Sequence, residues 1–150
     1  MTVTISQLTH FSQQFGKFYI QQFAPLMART GLSAREINVL LFLANHPGQD
    51  TARDVVELRG LSKSQVSQAV ELLTEWGILR RTQDQADRRV VHLAITEKGA
   101  PLAREVQAIQ AACGLRLLDG LTESERAVFL SLLAKVMDNT ERMMEGEALL

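Results

Sequence analysis

The chain has 150 residues, of which 46% are hydrophobic, and a formal net charge of −1. This length and apolar content indicate one folded domain and exclude a disordered chain. No apolar run reaches the roughly 18 residues that a membrane helix needs, and no signal-peptide pattern opens the chain, so we expect no membrane partner. The single cysteine, Cys113, excludes an internal disulfide and is typical of a protein of the reducing cytoplasm.

An aromatic stripe marks the first predicted helix, over residues 6–30. Pro25 is expected to kink or end this helix. The stripe can belong to the core, or it can form a subunit contact or line a ligand cavity. Its members recur at helical spacing and are Leu8, Phe11, Phe15, Phe18, Tyr19, Phe23 and Leu26.

Two further helices are predicted before residue 60. Ser33 is a suitable N-cap for a helix over 34–45, and Glu36 three residues later is its capping-box partner. A short helix over 51–58 follows. The buried face of the longer helix is predicted to consist of Ile37, Leu40, Leu41 and Ala44.

The next helix has a polar face that could meet DNA. Ser62 is its predicted N-cap and Gln65 the capping-box partner, so the helix should begin at Lys63, and Gly77 supplies its end. The predicted buried stripe is Val66, Ala69, Val70 and Leu73. The opposite face, whose short polar side chains can donate and accept hydrogen bonds towards base edges, carries Ser64, Ser67, Gln68 and Glu71.

A basic β-hairpin is predicted directly after this helix. Residues 78–82 and 89–95 are rich in β-branched and apolar side chains, and the polar stretch 83–88 between them suits a turn. A helix with a polar face, followed by a hairpin with arginines at its tip, is the layout of a winged helix-turn-helix. The helix can enter the major groove while the hairpin arginines reach phosphates or the minor groove.

Two long helices are predicted after the hairpin, over 98–118 and 123–144. Pro101 suggests that the first begins nearer Ala100, with the proline at its first position. Thr122 and Glu125 form a capping box for the second. The apolar surfaces of these helices and of the first helix have no obvious partner in so small a chain, so we expect a twofold homodimer that buries them.

The sequence resembles the MarR family of bacterial transcriptional regulators. The resemblance is carried by LSKSQVSQAVELLTEWGIL over residues 61–79, by the wing signature 87–89 (Asp-Arg-Arg), and by 96–99 (Thr-Glu-Lys-Gly). It implies a mainly α fold with a small β-hairpin wing, in which a winged helix-turn-helix (33–96) is flanked by dimerisation helices (6–30 and 98–144) within one domain, 1–150.

The resemblance further implies a ligand-responsive repressor that binds a pseudo-palindromic double-stranded DNA operator as a homodimer. A small aromatic or phenolic effector would bind between the dimer helices and the DNA-binding lobes. MarR-like proteins use their first helix both for dimerisation and as a pocket wall. The corresponding effector-binding residues here are Phe11, Phe15, Phe18 and Tyr19.

Each predicted DNA contact has its own reason. Lys63 and Ser64 would meet phosphates near the helix N-terminus. A capping role would turn Gln65 inward, and Asp87 is better placed to orient an arginine of the wing than to touch DNA. The predicted DNA-binding residues are Lys63, Ser64, Gln65, Ser67, Gln68, Arg80, Asp87, Arg88 and Arg89.

Other functions have less support in the sequence. Residues 50–92 carry seven basic and seven acidic side chains, a balance that leaves open a winged-helix module that binds protein. A thiol redox switch through Cys113 is a further alternative. We expect no enzyme, catalytic residue, cofactor or metal site, because His10, His46 and His92 are scattered and no nucleophile or phosphate-loop motif occurs.

Overall fold

The computed structural model describes residues 2–146, except for the side chain of Leu58, as seven helices and one hairpin. The elements are α1 (Ile5–Gln22), α2 (Ala24–Thr30), α3 (Ala34–Asn45), α4 (Ala52–Arg59), α5 (Lys63–Glu75), β1 (Leu79–Gln83), β2 (Val91–Ile95), α6 (Ala100–Leu117) and α7 (Glu123–Met144). The residues up to Cys113 form one compact unit, and those from Gly114 onward form a second. This order confirms the predicted mainly α fold with a hairpin wing.

Capping boxes fix where most helices begin. The Ser62 and Gln65 side chains each bind the other residue's backbone N–H at the start of α5, as predicted. The same reciprocal pair occurs at Ser33 with Glu36 and at Thr122 with Glu125. Because each box satisfies two backbone donors that the helix leaves unpaired, these helices begin at the predicted residues.

The aromatic N-terminal segment is two helices rather than one. The break lies at Phe23, and Pro25 occupies the first turn of α2, where its missing N–H costs no helical hydrogen bond. Phe23 and Leu26 are buried at 1% and 2% exposure. The predicted kink at Pro25 is therefore confirmed.

The core of the first unit lies around α3, which packs against α5, α4 and β2. The predicted stripe of α5 is buried as expected. The buried surface of α3 is wider than the predicted face, because Val39, Phe42 and Leu43 are also buried. A helix that is buried nearly all round forms the centre of a domain.

The hairpin is shorter on its second strand than predicted. Five antiparallel pairs run from Leu79 opposite Ile95 to Gln83 opposite Val91. Arg89 and Val90, which were expected in the strand, belong to the tip instead. The reason is local: Asp87 accepts a hydrogen bond from the Arg89 backbone N–H at 3.0 Å, which folds this stretch into a turn.

The second unit holds the end of α6, a turn and α7. Arg126 Nε donates to the carbonyl of Leu121 and ties α7 to the turn before it. α7 contains no buried residue, and Val128, Leu132, Val136 and Met137 are 50–60% exposed. None of the helices within residues 2–146 is long and apolar enough to cross a membrane.

Candidate nucleic-acid interface

Helix α5 presents the predicted polar face to solvent. Ser64, Ser67, Gln68 and Glu71 are all exposed, while the alternating apolar stripe is buried. The helix begins at Lys63, which is also exposed, so its first-turn backbone N–H groups and a cation lie together. Such an end favours a phosphate.

Gln68 is held in place by a neighbouring helix. Its Oε1 accepts a hydrogen bond of 2.6 Å from Arg35 Nη1 on α3, and its Nε2 lies 3.5 Å from Ser64 Oγ. Arg35 is itself fixed by Glu36, whose Oε1 lies 2.9 Å from Arg35 Nη2. Gln68 therefore has a defined orientation on the exposed face, which a base-reading side chain needs.

The Gln65 side chain caps the N-terminus of α5. Its Oε1 accepts the Ser62 backbone N–H at 2.9 Å, and its own N–H donates to Ser62 Oγ at 3.1 Å. The capping role that made Gln65 an ambiguous DNA contact is thus present in the structure.

At the tip of the hairpin, the carboxylate of Asp87 orients the guanidinium of Arg89. Asp87 binds Arg89 through two guanidinium contacts, Oδ1 to Nε at 3.1 Å and Oδ2 to Nη2 at 3.2 Å. These contacts lower the pKa of Asp87 below its usual range. Arg88 contributes its backbone carbonyl to Gln83 Nε2 at 2.7 Å. Asp87 therefore orients Arg89, which remains 91% exposed.

Arg81 is the strand arginine that lies beside α5. It lines a groove together with Lys63 and Ser67, whereas Arg80 is exposed one residue earlier, on the opposite face of the strand. Arg80 stays a predicted DNA contact, and the groove adds Arg81 as a candidate. The sequence carries a signal for Arg81, because it shares a strand face with the apolar Leu79 at period two.

The groove between α5 and the hairpin has an apolar floor and a basic rim. Its volume is about 520 Å³. Arg53 on α4 joins Lys63 and Arg81 at the rim and also pairs with Glu57 at 2.9 Å. No local sequence pattern marks Arg53 or Arg35, because their place beside α5 depends on helix packing. The lining residues are Ala52, Arg53, Val56, Lys63, Ser67, Val70, Arg81, Val91 and Leu93.

Three of the four predicted effector residues, Phe11, Phe15 and Tyr19, form an aromatic ladder on α1. The rings of Phe11 and Phe15 are stacked at 6.3 Å between centroids, and those of Phe15 and Tyr19 at 6.2 Å. Tyr19 meets Phe23 edge-on at 5.2 Å, and its hydroxyl accepts a hydrogen bond from Gln110 Nε2 at 3.0 Å. Phe18 is half-buried. Through Phe23 the C-terminal end of the ladder joins the core. Phe11, at its N-terminal end, is 47% exposed.

The sequence-based expectations also concern the cysteine and the side chain types that bind metal ions. Cys113 is buried at 3% exposure on α6. In the part of the chain that the structure describes, no three histidine, cysteine, aspartate or glutamate side chains are placed to hold a metal ion.

The region that carries this geometry is similar to known proteins. A protein-family sequence model with the description MarR family matches residues 30–90 of the chain. The transcriptional regulator YwaE of Bacillus subtilis is 31% identical over 87 residues, 58% of this chain, and the match spans only about half (51%) of YwaE. The transcriptional repressor MdtR of the same organism is 29% identical over 115 residues, which cover 77% of this chain and 74% of MdtR.

A solved structure gives the same result over most of the chain. The transcriptional regulator PA3341 superposes with a TM-score of 0.76 at 28% identity, covering 91% of this chain and 97% of PA3341. The matched region 30–90 contains α3, α4, α5 and the arginine-bearing tip described above. Over residues 30–90 in sequence, and over most of its fold, the chain is similar to the MarR family of winged helix-turn-helix proteins.

Proposed function

We propose that this chain is a sequence-specific DNA-binding transcriptional regulator, a ligand-responsive repressor that acts in the cytoplasm and is not an enzyme. It would bind a pseudo-palindromic operator as a homodimer, with 33–96 as the DNA-binding part and 6–30 and 98–144 as dimerisation helices of a single domain. The observation that carries this proposal is the exposed polar face of α5 beside a basic groove and a hairpin that presents Arg89. The similarity to repressors such as MdtR supports it.

One experiment should distinguish a side chain that reads bases from one that contacts phosphate or the minor groove. Gln68 is placed to read bases, so Gln68→Ala should weaken binding to the selected operator by about 1–3 kcal/mol and relax preference at particular base pairs. Arg89 is placed to meet phosphate or the minor groove. Arg89→Ala should weaken operator and random DNA alike and reduce the salt slope by about one.

The measurement is fluorescence anisotropy over a salt series. The probes are a duplex selected by the wild-type protein from a random-sequence pool and an unselected duplex of the same length. Gln13→Ala, an exposed glutamine on α1, is the matched control and should bind both duplexes as the wild type does. If wild type binds neither duplex, a winged-helix module that binds protein replaces this function.

The effector part of the proposal depends on the aromatic ladder. Phe11, Phe15, Phe18 and Tyr19 offer rings and one hydroxyl, which suit a small aromatic or phenolic ligand. A phenolic acid such as 4-hydroxybenzoate should raise the melting temperature of the wild type increasingly with ligand concentration, and raise that of Phe15→Leu less at each concentration. Equal shifts in both proteins would place any ligand site elsewhere.

A further inference from the structure

His92 joins three segments of the DNA-binding part that are distant in sequence. It lies in β2, opposite Thr82 of β1. Its Nδ1 is 2.7 Å from Asp50 Oδ1, in the loop before α4, and its Nε2 is 2.8 Å from Asp84 Oδ1, where β1 ends. The ring therefore bridges the helix-turn-helix and the tip of the hairpin.

Both neighbours of the ring are hydrogen-bond acceptors. An ionised carboxylate only accepts, and a neutral imidazole has one N–H and one lone pair. Both short contacts are therefore favourable only when both ring nitrogens carry protons. The hydrogen bonds to Asp50 and Asp84 accordingly raise the pKa of His92 above its ordinary value of 6.5.

Asp84 carries the connection onward to the arginines. Its Oδ2 accepts the backbone N–H of Ala86 at 3.0 Å and of Asp87 at 2.8 Å. Asp87 in turn holds the Arg89 guanidinium. The hydrogen bond from His92 is the largest reason why the pKa of Asp84 is lowered below its usual 3.8. A continuous chain of contacts thus runs from Asp50 to Arg89.

Arg80 shares the His92 face of the hairpin at period two, but the charged groups that shift the pKa of the ring are Asp50 and Asp84. Asp54 of α4 accepts from Thr51 at 2.7 Å, and Asp87 is bound to Arg89. Arg81 of β1 lines the groove beside α5. Asp50 and Asp84 are the charged groups that set the protonation of the ring.

We propose that protonated His92 is a positioning residue for DNA binding, which clamps the hairpin to the helix-turn-helix through Asp50 and Asp84 and so presents Arg89. This inference rests on the proposed DNA-binding function. When the ring loses its proton, one of its nitrogens turns a lone pair towards a carboxylate, the clamp opens, and DNA affinity falls. Affinity should therefore decrease as the pH rises through the pKa of His92.

The first test needs no DNA. In NMR spectra of ¹⁵N-labelled protein, both ring nitrogens of His92 should be protonated at about pH 6, and the titration midpoint should fall in Asp50→Asn. A ring that holds a single proton throughout, or a midpoint that Asp50→Asn leaves unchanged, would overturn the clamp. This result does not depend on whether the protein binds DNA.

The second test measures anisotropy with the selected duplex from about pH 6 to about pH 8.5 at constant ionic strength. Loss of one net hydrogen bond corresponds to about fivefold in affinity, so the wild type should weaken by about that factor across the range. His92→Gln should bind weakly and almost independently of pH.

The outcomes distinguish the two proposals. Absence of DNA binding by the wild type at every pH defeats the proposed function, whereas DNA binding with the same pH profile in wild type and His92→Gln defeats only the clamp. If His92→Gln does not fold, Asp50→Asn takes its place. A profile for Asp50→Asn that is shifted to lower pH supports the clamp, and an unshifted one overturns it.

Discussion

Glu36 shows how one buried carboxylate can organise a surface. It is 1% exposed, and its Oε2 accepts hydrogen bonds from both the N–H and the hydroxyl of Ser33. Its Oε1 accepts from Arg35 Nε at 3.0 Å, and Arg35 in turn holds Gln68. A group that begins α3 therefore also fixes a candidate base-reading side chain 32 positions later along the chain.

Replacing Glu36 should destabilise the protein most at neutral pH. Burial alone would raise its pKa, but the hydrogen bonds from Ser33 and Arg35 lower it below the usual 4.5. The stabilisation is therefore present above about pH 4.5 and is lost as the pH falls through the lowered pKa. Urea unfolding at neutral pH should show Glu36→Ala to be less stable by about 1–3 kcal/mol, because buried donors lose their acceptor.

Glu36→Gln keeps the size of the side chain but removes its negative charge, so urea unfolding of this variant measures the contribution of the charge. It keeps one acceptor, so we expect a smaller loss and a flatter dependence on pH in acid. Glu57→Gln removes an exposed ion pair with Arg53 and should change stability by less than about 0.5 kcal/mol. An equal loss in Glu36→Gln and Glu57→Gln would mean that the buried carboxylate contributes little.

At the scale of elements, the hairpin is joined to α6 by the stretch 96–99. The Thr96 hydroxyl donates to the carbonyls of Gly77 and Ile78 and accepts from the Gly99 N–H at 3.1 Å. Lys98 Nζ donates to the Trp76 carbonyl at 2.9 Å. These contacts give physical roles to three of the four residues after the wing: the Thr96 and Lys98 side chains bind carbonyls directly after α5, and Gly99 donates to Thr96.

Gly99 should be intolerant of any side chain. A Cβ built at Gly99 would lie 2.5 Å from the carbonyl oxygen of Ile78 and 2.9 Å from its Cγ2. Relieving that overlap requires movement of the hairpin or α6, so Gly99→Ala should destabilise the protein by about 1–3 kcal/mol in urea unfolding. Gly48→Ala is the control, since no atom lies within 4 Å of the added Cβ, and it should be neutral or slightly stabilising. Similar effects of the two changes would contradict a close contact at Gly99.

The helix starts could be predicted from the sequence, because each depends on residues that are close together along the chain. Ser62 with Gln65 and Thr122 with Glu125 lie three residues apart, so their capping boxes could be read directly and gave the correct helix starts. The Arg35–Gln68 and Asp50–His92 contacts join residues 33 and 42 positions apart, and no local pattern marks them. In the sequence, His92 is one of three scattered histidines, and its bridging role could not be predicted without the packed hairpin.

At the scale of the whole molecule, exposed apolar surface is the feature that a single copy leaves unexplained. On α7, Val128, Leu132 and Val136 follow one another at spacings of four and are 50–60% exposed. On α1, Ile5 is 77% exposed and Leu8 46%. Rows of this kind at helical spacing are typical of protein–protein interfaces. We therefore expect a second copy of the chain to cover them, as a pseudo-palindromic operator also requires.

Light scattering should give about twice the 16.7 kDa of one chain for the wild type. A charge in the middle of the apolar row should oppose association, because an unpaired carboxylate would be buried at the interface. Leu132→Glu should therefore scatter as a single chain at micromolar concentration, and its affinity for the selected operator should fall much more than its affinity for a duplex that carries one half-site.

Ser131→Glu places the same charge one residue away, on the face of α7 that also carries Lys135 and Asp138, and should remain dimeric. Circular dichroism of both variants would confirm that the helices are retained. A wild-type protein that scatters as a single chain would remove the basis for recognising a palindrome, since one copy has only one α5 to place in the major groove. A Leu132→Glu variant that stays dimeric would instead locate the interface away from this row, with the α1 surface as the next position to test.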